Sequence, residues 1–316
     1  MLPGRVTVVR LRRADLLGAA VVTAAGSCYA AATIAIKFAY RYQAGTGIVT
    51  LLRFAGSALA LWALVQLLRV PVRLERRKLR SLVGMGLVSA VVGGFFLASL
   101  DRIPASTATL LLYAHPAMVA LATAGLGRER FTVGKAVALG LSTIGVVLVL
   151  GAPAGDLDWV GVGMALGAAV ALATFIVLAQ RAVVAVHPLV SSGTVQTTAA
   201  LAFAPVPVAV AGGALEPGTI PVAVWWMLAG ALFTAGAISL FLAAVDRLGP
   251  TRASIGATVE PVVTVILGVA LLGEELSGLQ LVGGLLVVAA VALLPMVERR
   301  AVAAAGAPPV GPSGRK

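Results

Sequence analysis

A chain of 316 residues that is 60% hydrophobic and only 11% charged, with a mean hydropathy of +1.03, cannot hide its apolar side chains in a water-soluble core. The net charge of +12 does not indicate nucleic acid, because the basic residues sit mainly in short segments between apolar runs, where they orient membrane segments. One cysteine, Cys28, excludes an intramolecular disulfide, and two histidines, His115 and His187, cannot build a multi-histidine metal site, so neither metal nor cofactor is expected.

In chain order, residues 1–14 form a basic N-terminus carrying Arg5, Arg10, Arg12 and Arg13. Apolar runs of spanning length follow at 15–36, 46–68, 80–100, 105–126, 133–152, 159–180, 190–212, 222–245, 251–272 and 278–297. The first run follows an arginine-rich stretch, as a cleaved signal would. Its full spanning length and its end at Lys37 and Arg41 favour a retained helix. Residues 15–152 and 159–297 make two five-helix halves, joined by a linker at 153–158 and followed by a disordered tail at 298–316.

With the N-terminus inside, 20 of the 24 Lys and Arg residues fall on the inner side and three (Lys37, Arg41, Arg102) on the outer. That asymmetry predicts a multi-pass protein of the inner (plasma) membrane with both termini in the cytoplasm. Arg53 is the remaining cation and lies inside the second span.

The halves match each other. Asp101-Arg102, Pro116 and Glu129 recur 145 positions later as Asp246-Arg247, Pro261 and Glu274. Ala108/Ala253 and Leu126/Leu271 agree in the same ungapped stretch, and Thr109/Ser254 is similar. An odd number of helices per copy forces the second copy to enter the membrane from the opposite side. The expected fold is therefore an all-α membrane protein with ten transmembrane helices as two inverted five-helix repeats, an architecture suited to alternating access.

These residues resemble the EamA type of the drug/metabolite transporter superfamily. The resemblance is carried by Asp101-Arg102-Ile103-Pro104, Pro116 and Gly127-Arg128-Glu129, and by Asp246-Arg247-Leu248-Gly249-Pro250, Glu260-Pro261 and Leu272-Gly273-Glu274. It covers about residues 15–297. It implies export of small metabolites, amino acids or drugs, although some members import.

Glu260 lies near mid-membrane, where a charge costs about 2.5–3.5 kcal/mol on insertion scales. It is a candidate substrate or proton-coupling group. Alternatively, a neutral Glu260 hydrogen-bonds backbone freed by Pro261. His115 occupies the matching depth before Pro116 and is a second proton candidate, against the plainer reading of a satisfied core histidine. Thr109 and Tyr113 on the same helix can hydrogen-bond a ligand. Arg53 can take a substrate carboxylate, pair with Glu260, or snorkel to the interface. Gln196 is an embedded polar residue that can line a cavity. Pro116 and Pro261 are candidate hinges.

The expected function is secondary transport of a small-molecule substrate in the bilayer, with export as the direction and proton coupling one open mechanism. No Gly-x4-Gly-Lys-Ser/Thr sequence occurs, so the chain has no phosphate-binding loop of that kind. An intramembrane enzyme needs a cluster of nucleophile, base or metal ligands at one depth, for which one His and one Glu are thin material. A non-transporting scaffold would need no polar groups at the midplane. Small-residue elements such as Gly163-Met-Ala-Leu-Gly167 leave a homodimer open.

Overall fold

The computed structural model describes residues 13–116, 118–119, 122, 133–150, 158–183, 185–205, 220–248, 253, 257 and 259–289. The expected N-terminal segment up to residue 12, most of the 153–158 linker, the tail, Glu129 and the Pro250 region lie outside the described residues.

Every regular element among the described residues is helical. They are α1 (Arg13–Arg41), α2 (Thr46–Leu67), α3 (Arg76–Arg102), α4 (Ala105–Leu112), α5 (Val133–Leu150), α6 (Trp159–Ala182), α7 (Pro188–Phe203), α8 (Ile220–Leu248), α9 (Val259–Leu267) and α10 (Gly278–Ala289). A π-helical turn, Gly268–Leu272, continues α9. Within these, five segments are long and apolar enough to cross a bilayer: Ala20–Arg41, Thr46–Leu67, Arg76–Arg102, Trp159–Ala179 and Ile220–Arg247.

Local chemistry sets the ends. Ile103 precedes Pro104 and is therefore driven to extended backbone (φ −129°, ψ 160°), which stops α3. The Asp158 carboxylate caps α6 by accepting from Val160 N at 2.8 Å and Gly161 N at 3.1 Å. His187 caps α7, whose first residue is Pro188, where a missing N–H costs nothing. α4 is cut to eight residues because Pro116 cannot donate to Leu112, and a turn at Tyr113–Ala114 follows.

α1 packs most extensively on α8, α3 on α6 and α7, and α2 on α7 and α8; α9 lies against α1 and α4, and α4 also against α6. Small residues permit the closest approaches. A Cβ on Gly86 of α3 would stand 2.8 Å from Val195 O and 2.4 Å from Thr198 Cβ on α7. Large apolar side chains face outward: Leu67 is 76% exposed, Leu59 73% and Leu201 71%. In water such a surface would aggregate, whereas hydrocarbon solvates it at no cost.

Two buried apolar clusters occupy the two ends of the bundle. One joins Val22, Leu61, Leu82 and Leu242, and the other joins Ile36, Leu97, Leu100 and Met227. The polar residues that matter below fall between them along the same helices.

Candidate substrate site

A cavity of about 110 Å³ opens between the two apolar clusters. Its wall takes Tyr29 from α1, Arg53 and Phe54 from α2, Tyr113 and His115 from the α4 break, Gln196 from α7, Thr234 and Phe241 from α8, and Ala257 and Glu260 from the α9 break. Polar groups are few and the remainder is apolar and aromatic, the usual makeup of a small-molecule pocket.

The two prolines explain why the breaks lie here. In an α-helix the carbonyl of residue i accepts from the N–H of residue i+4. Pro116 therefore orphans the Leu112 carbonyl, and Pro261 orphans that of Ala257. A buried carbonyl left unpaired costs about 1–3 kcal/mol. Both are re-paired locally. His115 Nδ1 lies 3.0 Å from Leu112 O, and since a carbonyl only accepts, Nδ1 carries the hydrogen. Ala257 O accepts from Glu260 N at 2.9 Å and from the Tyr113 hydroxyl. The same hydroxyl lies 3.1 Å from Glu260 Oε2. The α4 break and the α9 break are thus stitched together through one tyrosine. The His115 ring meets Tyr113 edge-on, with centroids 5.2 Å apart.

Arg53 neither pairs with Glu260 nor snorkels. Its Nε donates to Thr234 Oγ1 at 2.9 Å and its guanidinium lies 5.6 Å from the Phe54 ring centroid. An ion pair joins Arg102 to Asp158 instead, away from the cavity. Gln196 is buried and donates to Ser57 Oγ at 3.0 Å; Ser57 in turn donates to Arg53 O at 2.6 Å. Thr109 stands apart from the wall, fully buried, with an Oγ1 that has no partner among the described residues. Pro261 is buried in the first turn of α9, next to Glu260. No group of three His, Cys, Asp or Glu able to hold a metal occurs among the described residues.

Of the expected site residues, Arg53, Tyr113, His115, Gln196 and Glu260 meet on one cavity and Thr109 does not. Tyr29, Ser57 and Thr234 escaped the sequence reading. Tyr29 carried a usable signal, being a hydroxyl in the middle of an apolar span. Ser57 and Thr234 are also hydroxyls within apolar spans, but what they do appears only once α2 meets α7 and α8.

One end of the bundle is closed by a separate network. Gly273, at φ +69°, turns the chain after the π-helical segment so that Glu274 points back to α4. The Glu274 carboxylate accepts from Ala105 N at 2.6 Å, Ser106 N at 3.0 Å and Ser106 Oγ at 2.6 Å. It thereby caps α4 from far along the chain. Gly268 leaves room for it, since a Cβ there would stand 2.7 Å from Glu274 Oε2. Lys37 Nζ donates to Ile103 O and Arg41 Nη2 to Leu272 O, each at 2.7 Å. Arg102 pairs with Asp158 at 2.7 Å. That hydrogen bond to Arg102, together with the backbone N–H groups of Gly161 and Val160, holds the Asp158 carboxyl below the usual aspartate range.

Apolar helices around a cavity with a few polar groups on its wall, two of them broken there, define a multi-pass membrane protein built round a solute-sized space. The EamA-like transporter family pattern matches residues 16–151 and again 159–296. The chain belongs to that family, and so to the drug/metabolite transporter superfamily. It is 32% identical over 245 residues to the threonine/homoserine exporter RhtA of Salmonella typhimurium, from strain SL1344 and from strain LT2, covering 77% of this chain and 79% of each relative. A solved structure, described only as the crystal structure of a protein, matches with a TM-score of 0.59 at 21% identity, over 90% of this chain and 99% of that one. That last likeness concerns the fold alone.

Proposed function

We propose that the chain exports small zwitterionic metabolites, amino acids foremost, across the inner membrane by alternating access, and that it is not an enzyme. The observation that carries this is the presence of one carboxyl, Glu260, and one guanidinium, Arg53, on the wall of the same largely apolar cavity. An α-ammonium and an α-carboxylate need those two partners, and their lack of a mutual ion pair leaves both available. The family and the exporter relatives support the same substrate size and direction.

The mechanism rests on two inverted halves, residues 15–152 and 159–297. Helix contacts support this: the major pairings have partners under exchange of the halves, α1–α8 with α6–α3, α3–α7 with α8–α2 and α1–α9 with α6–α4. The lysine and arginine distribution supports cytoplasmic termini, which makes the Glu274 end the outer one and the conformation closed to the outside. Glu260 can hold a proton or an ammonium group but not both, so substrate and proton exchange for one another; Pro116 and Pro261 are the hinges. His115, already engaged with Leu112 O, contributes to the pocket wall.

The test is counterflow in liposomes containing the purified protein, with labelled threonine, a neutral sugar and a lipophilic cation compared side by side. Threonine is expected to exchange and the other two not. Exchange of the cation or the sugar but not threonine overturns the substrate class. Glu260→Gln is expected to abolish the pH dependence of exchange, and an unchanged profile removes Glu260 from coupling.

A further inference from the structure

We propose that Tyr113 is the positioning residue that converts the protonation state of Glu260 into a change in the contact between the two broken helices. The inference rests on the reading of Glu260 as the group exchanging proton for substrate. It starts from a count of hydrogens. The Tyr113 hydroxyl has one proton and stands against two acceptors, the Ala257 carbonyl freed by Pro261 and Glu260 Oε2. It cannot serve both at full strength.

Two arrangements satisfy the count. With Glu260 neutral, the carboxylic acid donates its own proton to the tyrosine oxygen, and Tyr113 donates to Ala257 O. α4 is then tied directly to the backbone of the α9 break. With Glu260 ionised, the Tyr113 hydroxyl keeps its proton and donates its hydrogen bond to the carboxylate. Ala257 O keeps only its bond from Glu260 N, and the tie from α4 to that backbone is lost. The proton released by Glu260 leaves through the cavity, and none is created or consumed elsewhere. A substrate ammonium, which needs the carboxylate form, selects the second arrangement. Proton and substrate therefore leave the α4–α9 contact in different states although they occupy the same atom.

The surroundings suit a switch. The ionisable groups facing Glu260 from the elements packed around it are Tyr29 of α1, Arg53 of α2 and Tyr113 itself. The His115 ring abuts Tyr113 with its Nδ1 already committed to Leu112 O, so it does not take the tyrosine proton through that nitrogen. Gly26 of α1 keeps the space tight, since a Cβ there would stand 3.1 Å from Glu260 N.

The experiment is infrared difference spectroscopy of the full-length protein in liposomes across pH, with wild type, Glu260→Gln and Tyr113→Phe, paired with counterflow driven by an imposed pH gradient. Wild type is expected to show a carboxylic acid C=O band that disappears on alkalinisation while a tyrosine C–O band shifts with it. Both changes are expected to vanish in Glu260→Gln, whose amide mimics the neutral acid. In Tyr113→Phe the acid band is expected to remain at a higher frequency, substrate binding to stay pH-dependent, and the acceleration of counterflow by the gradient to be lost. A tyrosine band that stays fixed while the Glu260 band titrates overturns the proposal even if Tyr113→Phe fails to fold. So does a folded Tyr113→Phe that keeps the wild-type gradient response. Absence of any band assignable to Glu260 sinks instead the underlying reading of that residue.

Discussion

Arg53 Nε donates to Thr234 Oγ1 at 2.9 Å, fixing a cation on α2 against a hydroxyl on α8. Thr234 gives its own hydrogen to Gly230 O at 2.8 Å, so its oxygen is free only to accept. The guanidinium is thereby oriented, with its terminal nitrogens available to a carboxylate. Thr234→Val should raise KM for the substrate by about fivefold, the equivalent of about 1 kcal/mol for one hydrogen bond, with little change in kcat. Arg53→Lys loses the planar fork and should raise KM by tenfold or more, as expected for about 1.5–3 kcal/mol in bonds to a charged group. The concentration dependence of liposome uptake measures both. An unchanged KM in Arg53→Lys removes the fork from recognition.

Glu274 caps α4 with three acceptor contacts. Glu274→Ala should lower stability by about 0.5–2 kcal/mol, the ordinary cost of a lost N-cap. Glu274→Gln keeps one acceptor oxygen and should lose less. Thermal unfolding in detergent ranks the three proteins; equal midpoints for wild type and the alanine variant contradict the capping role.

Gly86→Ala puts a methyl group against the backbone carbonyl of Val195, which cannot rotate away. A loss of about 1–3 kcal/mol is expected from such overpacking. Gly84→Ala, two residues earlier in α3, meets nothing within 4 Å and gains helix propensity instead. The pair should therefore move thermal stability in opposite directions.

Asp158 gives the closed end a pH dependence. Its folded-state pKa is depressed, so its stabilising contribution is present above the unfolded aspartate value, about 3.9, and disappears as pH falls through the folded value. Asp158→Asn should melt below wild type near neutral pH, and the two curves should converge in acid. A gap that persists unchanged into acid contradicts the assignment. The effect is small, because the pair is solvent-exposed and salt screens it.

Hydropathy placed the starts of some spans closely: α2 and α6 begin at the expected Thr46 and Trp159. It could do so because the membrane imposes a fixed length on an apolar run. Pro116 and Pro261 also announced the breaks, since a missing N–H is a property of one residue alone. What they bind to was not legible. That Tyr113 of one half serves the carbonyl freed in the other, or that Arg53 rests on Thr234, depends on contacts 144 and 181 positions apart. Thr109 illustrates the converse. Its helix starts at the expected Ala105, but the face it presents was decided by how α4 is seated rather than by its own polarity.

The cap on α4 has a consequence for how the protein is made. Ala105 and Glu274 are separated by 169 positions, so the first turn of α4 is synthesised long before its partner. Until the ribosome has delivered Leu272-Gly273-Glu274, that turn must find water or other groups for its N–H donors. That end of the early half is thus left provisional during insertion, and the late half completes it. A truncated chain lacking Glu274 would present an unfinished helix start to the quality-control proteases of the membrane, whatever the stability of its own spans.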